Sequence, residues 1–302
     1  MERRKFLIQT GAATALLSTT PSFNLFAETR STKKITILHT NDVHSHIEPF
    51  PVEDPSFSNQ GGVARRLTLI QNIRKENPHT LLLDAGDIFQ GTPYFNFYGG
   101  ELEFKLMSMM GYDAATIGNH DFDNGIGGLA AQMPNAKFKL LSANYDFTNT
   151  IMEGLTKPYD IFIKDGIKIG VFGLGIQLDG LVTESLSKET KYLNPLEIAQ
   201  DTTRVLKEEH KCDLIICLSH LGYDYKYDKI SDRKLASQTK NIDLIIGGHT
   251  HTFLPKPEIL KNIEGKDVLV NQVGWAGVNL GRIDFEFDMD GNKSNSATLI
   301  RV

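Results

Sequence analysis

Five short apolar runs in this chain each end in a loop that carries histidine, aspartate or asparagine. In the clearest case, Ala-Ala-Thr-Ile at residues 114–117 is followed by Gly-Asn-His-Asp-Phe-Asp at residues 118–123. The other four loops lie at residues 41–44, 86–87, 219–222 and 247–251. A short apolar run bounded by turn residues is typical of a buried strand, and open α/β sheets place ligands beyond the carboxyl ends of their strands. We therefore expect the five loops to meet at one edge of a sheet.

Seven side chains in these loops are candidate metal ligands. They are Asp42, His44, Asp87, Asn119, His220, His249 and His251. This mixed set of nitrogen and oxygen donors suits Zn²⁺, Mn²⁺ or Fe²⁺ rather than Ca²⁺. Seven donors are too many for one tetrahedral ion and suit two ions that share a carboxylate. The loops therefore predict two divalent metal ions, whose identity the donor set leaves open among these three.

A pair of metal ions indicates phosphoryl chemistry. Two ions roughly 3.5–4 Å apart can bind the attacking water and the oxygens of a phosphate, and they lower the pKa of that water. One further group is then needed beside the metals. His120 qualifies, because it neighbours Asn119, and because Asp123 could hold its ring and favour the charged form. We predict that His120, with Asp123, steadies the phosphate or protonates the leaving group.

Hydrophobic periodicity predicts the regular elements of the chain. Helical spacing occurs over residues 62–75, 101–110, 127–133, 195–210 and 232–239. Strand-like runs lie at residues 35–38, 81–83, 114–117, 139–143, 159–164, 167–172, 213–218, 242–246, 268–272 and 282–287. Residues 47–60 and 91–100 are predicted as loops, and residues 177–194 show no pattern. The alternation of strands and helices predicts one layered α/β domain in which helices cover two packed sheets.

Cys212 and Cys217 are the only cysteines of the chain. On one strand their Cα atoms would lie roughly 16 Å apart, beyond the roughly 7 Å limit for a disulfide. We therefore expect two free thiols that pack as small buried hydrophobes. Two polar residues near the ligand loops stay open: His46 is either an outer neighbour of the metals or solvated, and Asp84 is either an outer acceptor or a strand-end cap.

The first 27 residues have the composition of an export signal. An Arg-Arg-Lys triplet at residues 3–5 precedes a short apolar stretch, and no acidic residue follows until Glu28. The adjacent arginines are similar to those of twin-arginine signals. The apolar stretch is shorter than the roughly 20 residues that span a membrane. We expect residues 1–27 to direct export to the periplasm or the extracellular space, with residues 28–302 as the catalytic domain.

Charge and composition narrow the class of partner. The net charge is −5, and the chain has no long run of lysine and arginine. Both features argue against a nucleic-acid polymer as partner. We expect a small-molecule phosphate ester instead.

Taken together, the five loops resemble those of the calcineurin-like metallophosphoesterases. More narrowly, three motifs resemble the catalytic half of the secreted 5′-nucleotidase and UDP-sugar hydrolase family. They are His-Thr-Asn-Asp-Val-His-Ser-His at residues 39–46, Gly86-Asp87 followed by Gly91-Thr92, and Asn-His-Asp-Phe-Asp at residues 119–123. The motifs occur in the order of the family and cover nearly all of residues 28–302.

The resemblance implies a four-layer α/β/β/α sandwich and a role for each candidate residue. The first metal would be held by Asp42, His44 and His251, the second by Asn119, His220 and His249, with Asp87 as the bridge and with His120 and Asp123 as the catalytic pair. Asp121 departs from the family, which often has glutamate there. We expect its side chain to point away from the metals.

The resemblance also implies an exported dimetal enzyme that hydrolyses phosphate monoesters, with 5′-nucleotides as substrates. One alternative is a phosphodiesterase or pyrophosphatase acting on cyclic nucleotides or nucleotide sugars. Another is a catalytic subunit that needs a separately encoded nucleotide-binding domain, because family members carry such a domain beyond the point where this sequence stops. Aromatic residues at positions 94–98 either line a substrate face or pack internally.

Overall fold

The computed structural model describes residues 32–302, so the predicted export signal at residues 1–27 lies outside the described residues. The strands, in chain order, are β1 (Lys33–Thr40), β2 (Thr80–Asp84), β3 (Ala114–Ala115), β4 (Lys139–Leu140), β5 (Tyr145–Asp146), β6 (Tyr159–Lys164), β7 (Ile167–Leu174), β8 (Lys191–Tyr192), β9 (Leu214–Ser219), β10 (Leu244–Gly247), β11 (Glu258–Lys261), β12 (Asp267–Asn271), β13 (Asn279–Phe287) and β14 (Lys293–Arg301).

The helices lie between some of these strands along the chain. They are α1 (Val63–Glu76), α2 (Pro93–Tyr98), α3 (Glu101–Met110), α4 (Gly125–Gln132), α5 (Glu184–Ser187), α6 (Pro195–Arg204) and α7 (Asp232–Gln238). Short 3₁₀ turns lie at His120–Phe122 and Met133–Asn135, and a π-helical turn at Val205–Glu209 continues α6. Within residues 32–302, no helix is both long enough and apolar enough to cross a bilayer.

Two six-stranded mixed sheets form the centre of the fold. The first has the order β14-β13-β1-β2-β3-β4, with β1 to β4 parallel and β13 and β14 antiparallel at one side. The second has the order β11-β12-β10-β9-β7-β6, with four parallel central strands and antiparallel edges. Strands β5 and β8 pair separately. The parallel strands therefore deliver several loops to one end of each sheet.

Alternation along the strands builds three apolar layers. On β1, Ile35 and Ile37 pack between the sheets, while Leu38 packs with the helices over the first sheet. On β9, Ile216 lies between the sheets, while Cys217 packs toward the helices over the second sheet. Successive side chains of a strand point to opposite faces, so a strand covered on both faces is apolar throughout. The predicted four-layer α/β/β/α sandwich is confirmed.

Most predicted elements are present, and the exceptions have physical causes. Residues 91–100, predicted as a loop, contain α2, which begins at Pro93, ends at Tyr98 and is followed by Gly99 with φ 59°. Proline at the first helical position and a left-handed glycine after the last are common helix boundaries. The patternless residues 177–194 contain α5 and β8.

Two edge strands, β11 and β14, were not predicted. Strand β14 reads Lys-Ser-Asn-Ser-Ala-Thr-Leu-Ile-Arg and is largely exposed. It is a strand because it pairs with its neighbour β13. A polar strand of this kind has no hydrophobic alternation by which it could be recognised. Strand β3 is also shorter than predicted, because its pairing with β2 and β4 ends at Ala115.

The two cysteines behave as predicted. Cys212 and Cys217 are both free and buried. Burial raises the pKa of both thiols, most strongly at Cys217. They therefore pack as small apolar side chains.

The inter-sheet layer should dominate stability. We predict that Ile216→Ala lowers the free energy of unfolding by about 2–5 kcal/mol, because Ile216 is fully buried and a cavity would remain. Denaturant unfolding measures the difference. Ile163→Ala on β6 is the matched control, since Ile163 is 64% exposed, and it should change the same quantity by less than about 1 kcal/mol. Equal losses in the two variants would contradict this assignment of the core.

Candidate metal centre

The structure brings all seven predicted ligands together. One group contains Asp42, His44, Asp87 and His251, and another contains Asp87, His220 and His249; within each group the ligand atoms lie within 4.8 Å of one another. Asn119 joins the second group, because its Oδ1 lies 2.8 Å from His249 Nδ1. The carboxylate of Asp87 belongs to both groups. The metal-binding roles themselves stay predictions.

The distances within the first group suit a shared ion. The Nε2 atoms of His44 and His251 are 3.0 Å apart. His251 Nε2 lies 3.4 Å from Asp42 Oδ1, and His44 Nε2 lies 3.7 Å from Asp87 Oδ2. Burial lowers the pKa of His44 and so favours the neutral ring, which can offer a lone pair. Two imidazoles and two carboxylates thus face one small volume.

His220 gives the clearest test of whether the second group fits a metal ion. Its Nδ1 lies 2.7 Å from the carbonyl oxygen of Ala85, which can only accept, so Nδ1 carries a proton. Its Nε2 is buried, has no hydrogen-bond partner among residues 32–302, and lies 3.1 Å from Asp87 Oδ2. A metal-binding histidine usually donates its other ring N–H to a carbonyl in this way. The donors therefore fit a divalent cation.

The charges of the cluster also favour cations. Burial alone would lower the pKa of His220, but Asp87 and Asp42 outweigh it and raise that pKa to about 10. Burial likewise opposes ionisation of Asp87, yet His220, His44 and His120 hold its pKa well below the usual range. A positive charge next to these carboxylates is therefore stabilising, and either a proton on His220 or a bound cation can supply it. Burial lowers the pKa of His249 to about 4, so its ring is neutral.

The ligand loops have unusual backbone conformations. Five of the candidate ligands have positive φ; they are Asp42 (50°), His44 (50°), Asp87 (53°), His249 (71°) and His251 (49°). Such values are uncommon outside glycine and cost about 1–3 kcal/mol each where they occur. Strained backbone of this kind is typical of functional sites.

Two glycines allow the loops to approach one another. A Cβ at Gly118 would lie 2.1 Å from Asp87 Oδ1. A Cβ at Gly248 would lie 2.8 Å from both His220 Nδ1 and the carbonyl oxygen of Ala85. Any larger residue at either position would push the ligands apart.

Asp121 organises the loop of Asp87, a role that sequence analysis missed. Its carboxylate accepts hydrogen bonds from the backbone N–H groups of Gly118 (2.8 Å), Asp87 (3.1 Å), Ile88 (2.9 Å) and Phe89 (3.1 Å). Burial and the charge of Asp87 raise its pKa to about 7. The side chain faces backbone N–H groups rather than the ligand cluster, in agreement with the expectation that it points away from the metals.

Asn41 and Asp84 support the first group from outside. Asn41 Nδ2 donates to Asp42 Oδ2 at 2.7 Å, and its Oδ1 accepts from the backbone N–H of Val273 at 2.9 Å. Asp84 Oδ1 accepts from the backbone N–H of Gly86 at 2.9 Å, so Asp84 caps the end of β2. Asn41 stood beside the ligands in the sequence, but only the folded contacts identify its partners.

His120 lies beside the cluster and reaches solvent. Its Nδ1 is 2.8 Å from Asp123 Oδ2, and its backbone N–H donates to Asp87 Oδ1 at 2.8 Å. The hydrogen bond to Asp123 raises the pKa of His120. The side chain is 40% exposed. The predicted pair is therefore in contact, and its imidazole can meet a molecule that approaches from solvent.

Aromatic side chains surround the first group. Trp275 stacks on His251 with ring centroids 5.7 Å apart and an interplanar angle of 5°. His46 stacks on Phe50 instead of pointing into the cluster, and burial lowers its pKa to about 4. The aromatic residues of positions 94–98 divide: Phe95 packs internally, whereas Phe97 is 82% exposed.

Comparison with known proteins identifies the family. The sequence profile of the calcineurin-like phosphoesterases matches residues 35–253. The chain is 37% identical to the trifunctional nucleotide phosphoesterase protein YfkN of Bacillus subtilis over 88% of its own length and 19% of the relative's. It is 36% identical to the 5′-nucleotidase of Rattus norvegicus over 86% of its own length and 47% of the relative's. The chain thus spans less than half the length of either relative.

Solved structures agree with these relationships. A 5′-nucleotidase precursor from Thermus thermophilus superposes with a TM-score of 0.81 and 35% identity, covering 89% of this chain and 55% of that one. The NAD nucleotidase of Haemophilus influenzae gives a TM-score of 0.78 and 28% identity, covering 90% of this chain and 57% of that one. The predicted resemblance is confirmed, and the family supports the predicted class of phosphoric ester hydrolase. The chain belongs to the calcineurin-like phosphoesterases and is related to the 5′-nucleotidases.

Proposed function

We propose that this chain is a dimetal phosphoesterase that hydrolyses phosphate monoesters, with 5′-nucleotides as its substrates. The supporting observation is that two groups of ligand atoms share Asp87 and lie next to the His120–Asp123 pair. The substrate class is suggested by the names of the relatives, which are the 5′-nucleotidase of Rattus norvegicus and two nucleotidases of known structure.

The proposed metal ligands follow the two groups. Asp42, His44 and His251 would hold the first ion, Asn119, His220 and His249 the second, and Asp87 would bridge them. Zn²⁺, Mn²⁺ and Fe²⁺ all suit this donor set. When bound, two such ions supply Lewis acidity that activates water and neutralises charge on phosphate oxygens.

His120 would act on the substrate directly. Since Nδ1 is hydrogen-bonded to Asp123, Nε2 is the ring nitrogen left for the substrate. The raised pKa favours a protonated ring, which can donate from Nε2 to a phosphate oxygen or to the leaving oxygen. Asp123 orients the ring and stabilises its charge. Positioning and charge stabilisation are what phosphoryl transfer mainly requires of a protein.

A second candidate is hydrolysis of phosphodiester or pyrophosphate bonds in nucleotides. Two names favour it: one relative is a trifunctional nucleotide phosphoesterase, and one structural neighbour is an NAD nucleotidase. The same metals and the same histidine would serve this reaction, so only the substrate would differ. A separately encoded nucleotide-binding domain as partner stays a prediction.

We also propose that the protein is exported to the periplasm or the extracellular space. The support is the basic and then apolar composition of residues 1–27, which ends in small and aromatic residues. Mass spectrometry of the protein recovered from native cell fractions tests this proposal. Recovery outside the cytoplasm without residues 1–27 is expected, and a cytoplasmic protein that keeps its first residues would refute it.

A side-by-side assay separates the two candidate reactions. We expect purified protein loaded with Mn²⁺ or Zn²⁺ to release phosphate from AMP faster than it hydrolyses a cyclic nucleotide or UDP-glucose. Activity should disappear with a chelator and return with the metal, because the ions supply the Lewis acidity. Faster turnover of UDP-glucose or of the cyclic nucleotide would favour the second candidate.

The role of His120 can be separated from metal binding. We predict that His120→Asn lowers kcat by about 10²–10⁴-fold, as loss of a general acid does, while the metal content by elemental analysis stays unchanged. The reason is that its ring contacts Asp123 and does not belong to either group of ligand atoms.

Asp87→Asn provides the contrast, because the bridging carboxylate would lose charge toward both ions. This variant should lose both metal and activity. His79→Asn is the matched control, since His79 lies in the turn before β2 away from the ligand loops, and it should change neither quantity. Loss of metal in His120→Asn would show that this side chain is a ligand instead.

A further inference from the structure

A small pocket borders the loop that carries Asp42 and His44. Its lining includes Val43, Ser45 and Ile47 from that loop, Arg66 from α1 and Glu103 from α3. Its volume is about 20 Å³, and a cavity of roughly 10–15 Å³ already holds one water. The pocket therefore has room for one ordered water and not for a larger ligand.

Three lining residues carry buried polar atoms without partners. They are Ser45 Oγ, Arg66 Nε and Nη1, and both carboxyl oxygens of Glu103, none of which has a hydrogen-bond partner among residues 32–302. Arg66 is 2% exposed and Glu103 is 4% exposed. Buried polar groups are almost always hydrogen-bonded to protein or to ordered water. A water bound here would leave fewer of these five atoms without a partner than a dry pocket would.

We propose that this pocket holds an ordered water that bridges Ser45, Arg66 and Glu103, and that this bridge positions His44 in the metal centre. The guanidinium offers donors, the Glu103 carboxyl offers acceptors, and the Ser45 hydroxyl offers both. A buried water makes about three hydrogen bonds, which matches the three residues. The bridge connects the ligand loop to α1 and α3.

Ser45 transmits this connection to His44, its neighbour in the chain. Both residues have left-handed backbone, with φ of 50° for His44 and 55° for Ser45. The backbone of Ser45 is already held, since its N–H donates to the carbonyl oxygen of Ile88 at 3.0 Å and its carbonyl accepts from Thr92 Oγ1 at 2.7 Å. Its hydroxyl is the group that still lacks a hydrogen-bond partner, and the bridging water supplies one.

The guanidinium of Arg66 also packs closely against Gly277. Gly277 has φ +61°, and a Cβ there would lie 1.8 Å from Arg66 Nη1. The preceding residue, Ala276, donates its N–H to the carbonyl oxygen of Asp42 at 2.7 Å. Arg66 thus contacts the turn that holds Asp42 and lines the pocket beside Ser45. We infer that Arg66 and Glu103 are positioning residues for the first metal site.

Apolar replacement of the charged residues distinguishes positioning from stability alone. Arg66→Met should lower Tm by roughly 6–15 °C, because it leaves Glu103 buried without its opposite charge. The double variant Arg66→Met/Glu103→Leu should recover most of that Tm, because an apolar pair needs no partner. Since Ser45 has still lost its water, we expect the Kd of the double variant for Mn²⁺ to rise about tenfold. Thermal unfolding and Mn²⁺ titration of the full chain measure both quantities.

Two further variants sharpen the result. Ser45→Ala should weaken Mn²⁺ binding to a similar extent with little change in Tm. Arg65→Met is the matched control, since the neighbouring Arg65 is exposed and hydrogen-bonds Asn59, and it should change neither quantity. A double variant that binds Mn²⁺ as tightly as the parent would overturn the inference. So would a crystal structure of the parent with direct Arg66–Glu103 contact and no water.

The inference rests on the proposed metal centre, and the two can fail separately. A parent protein that binds no Mn²⁺ would overturn both. A parent that binds Mn²⁺ with unaltered affinity in the double variant and in Ser45→Ala would overturn only the bridging role of the pocket.

Discussion

The candidate metal centre depends on how the buried carboxylate of Asp87 is accommodated. An isolated charge below the surface is costly, and it persists only where it is paired and hydrogen-bonded. At Asp87 the partners are the Nε2 of His220 at 3.1 Å and the backbone N–H of His120 at 2.8 Å. These contacts keep the carboxylate ionised and fix its two oxygens in different directions. The contacts that stabilise the buried charge of Asp87 also orient its carboxylate toward both groups of candidate ligands.

The sandwich stabilises that arrangement, because rigid sheets hold the strained loops in place. The loop of Asp42 is hydrogen-bonded to that of Asp87, through Asp42 N–H to the Gly86 carbonyl at 2.9 Å and His44 N–H to the Asp87 carbonyl at 3.0 Å. Asp121 then binds the Asp87 loop with three backbone hydrogen bonds and accepts a fourth from Gly118 in its own loop. Left-handed backbone at five candidate ligands is tolerated because each loop is hydrogen-bonded to a neighbouring loop and each begins at the end of a buried strand.

The sequence predicted the parts of the fold and of the candidate site that follow a local pattern. Buried strands with polar residues just beyond them were recognisable, so Asp42, Asp87 and His220 were found without coordinates. Strand β14 was not found, because its pairing with β13 is what makes polar Lys293–Arg301 a strand. Asp121 was identified only as a departure from the family, since three of its four backbone partners lie more than thirty residues away in the Asp87 loop. The unpartnered atoms of Arg66 and Glu103 likewise become visible only once two helices and a loop meet.

The residues of the cluster differ in how deeply they are buried. Asp42 and His220 are wholly buried, whereas the side chains of His251 and His120 are 39% and 40% exposed. In the proposed function, a phosphate ester would approach from the side of His120 and His251, where Trp275 is also partly exposed. The candidate ligands would determine what chemistry the site supports, and all of them lie in loops that sequence pattern identifies. Recognition of the rest of the substrate falls to the exposed side, where side-chain identity is not constrained by packing, and so the reaction class is easier to infer than the substrate.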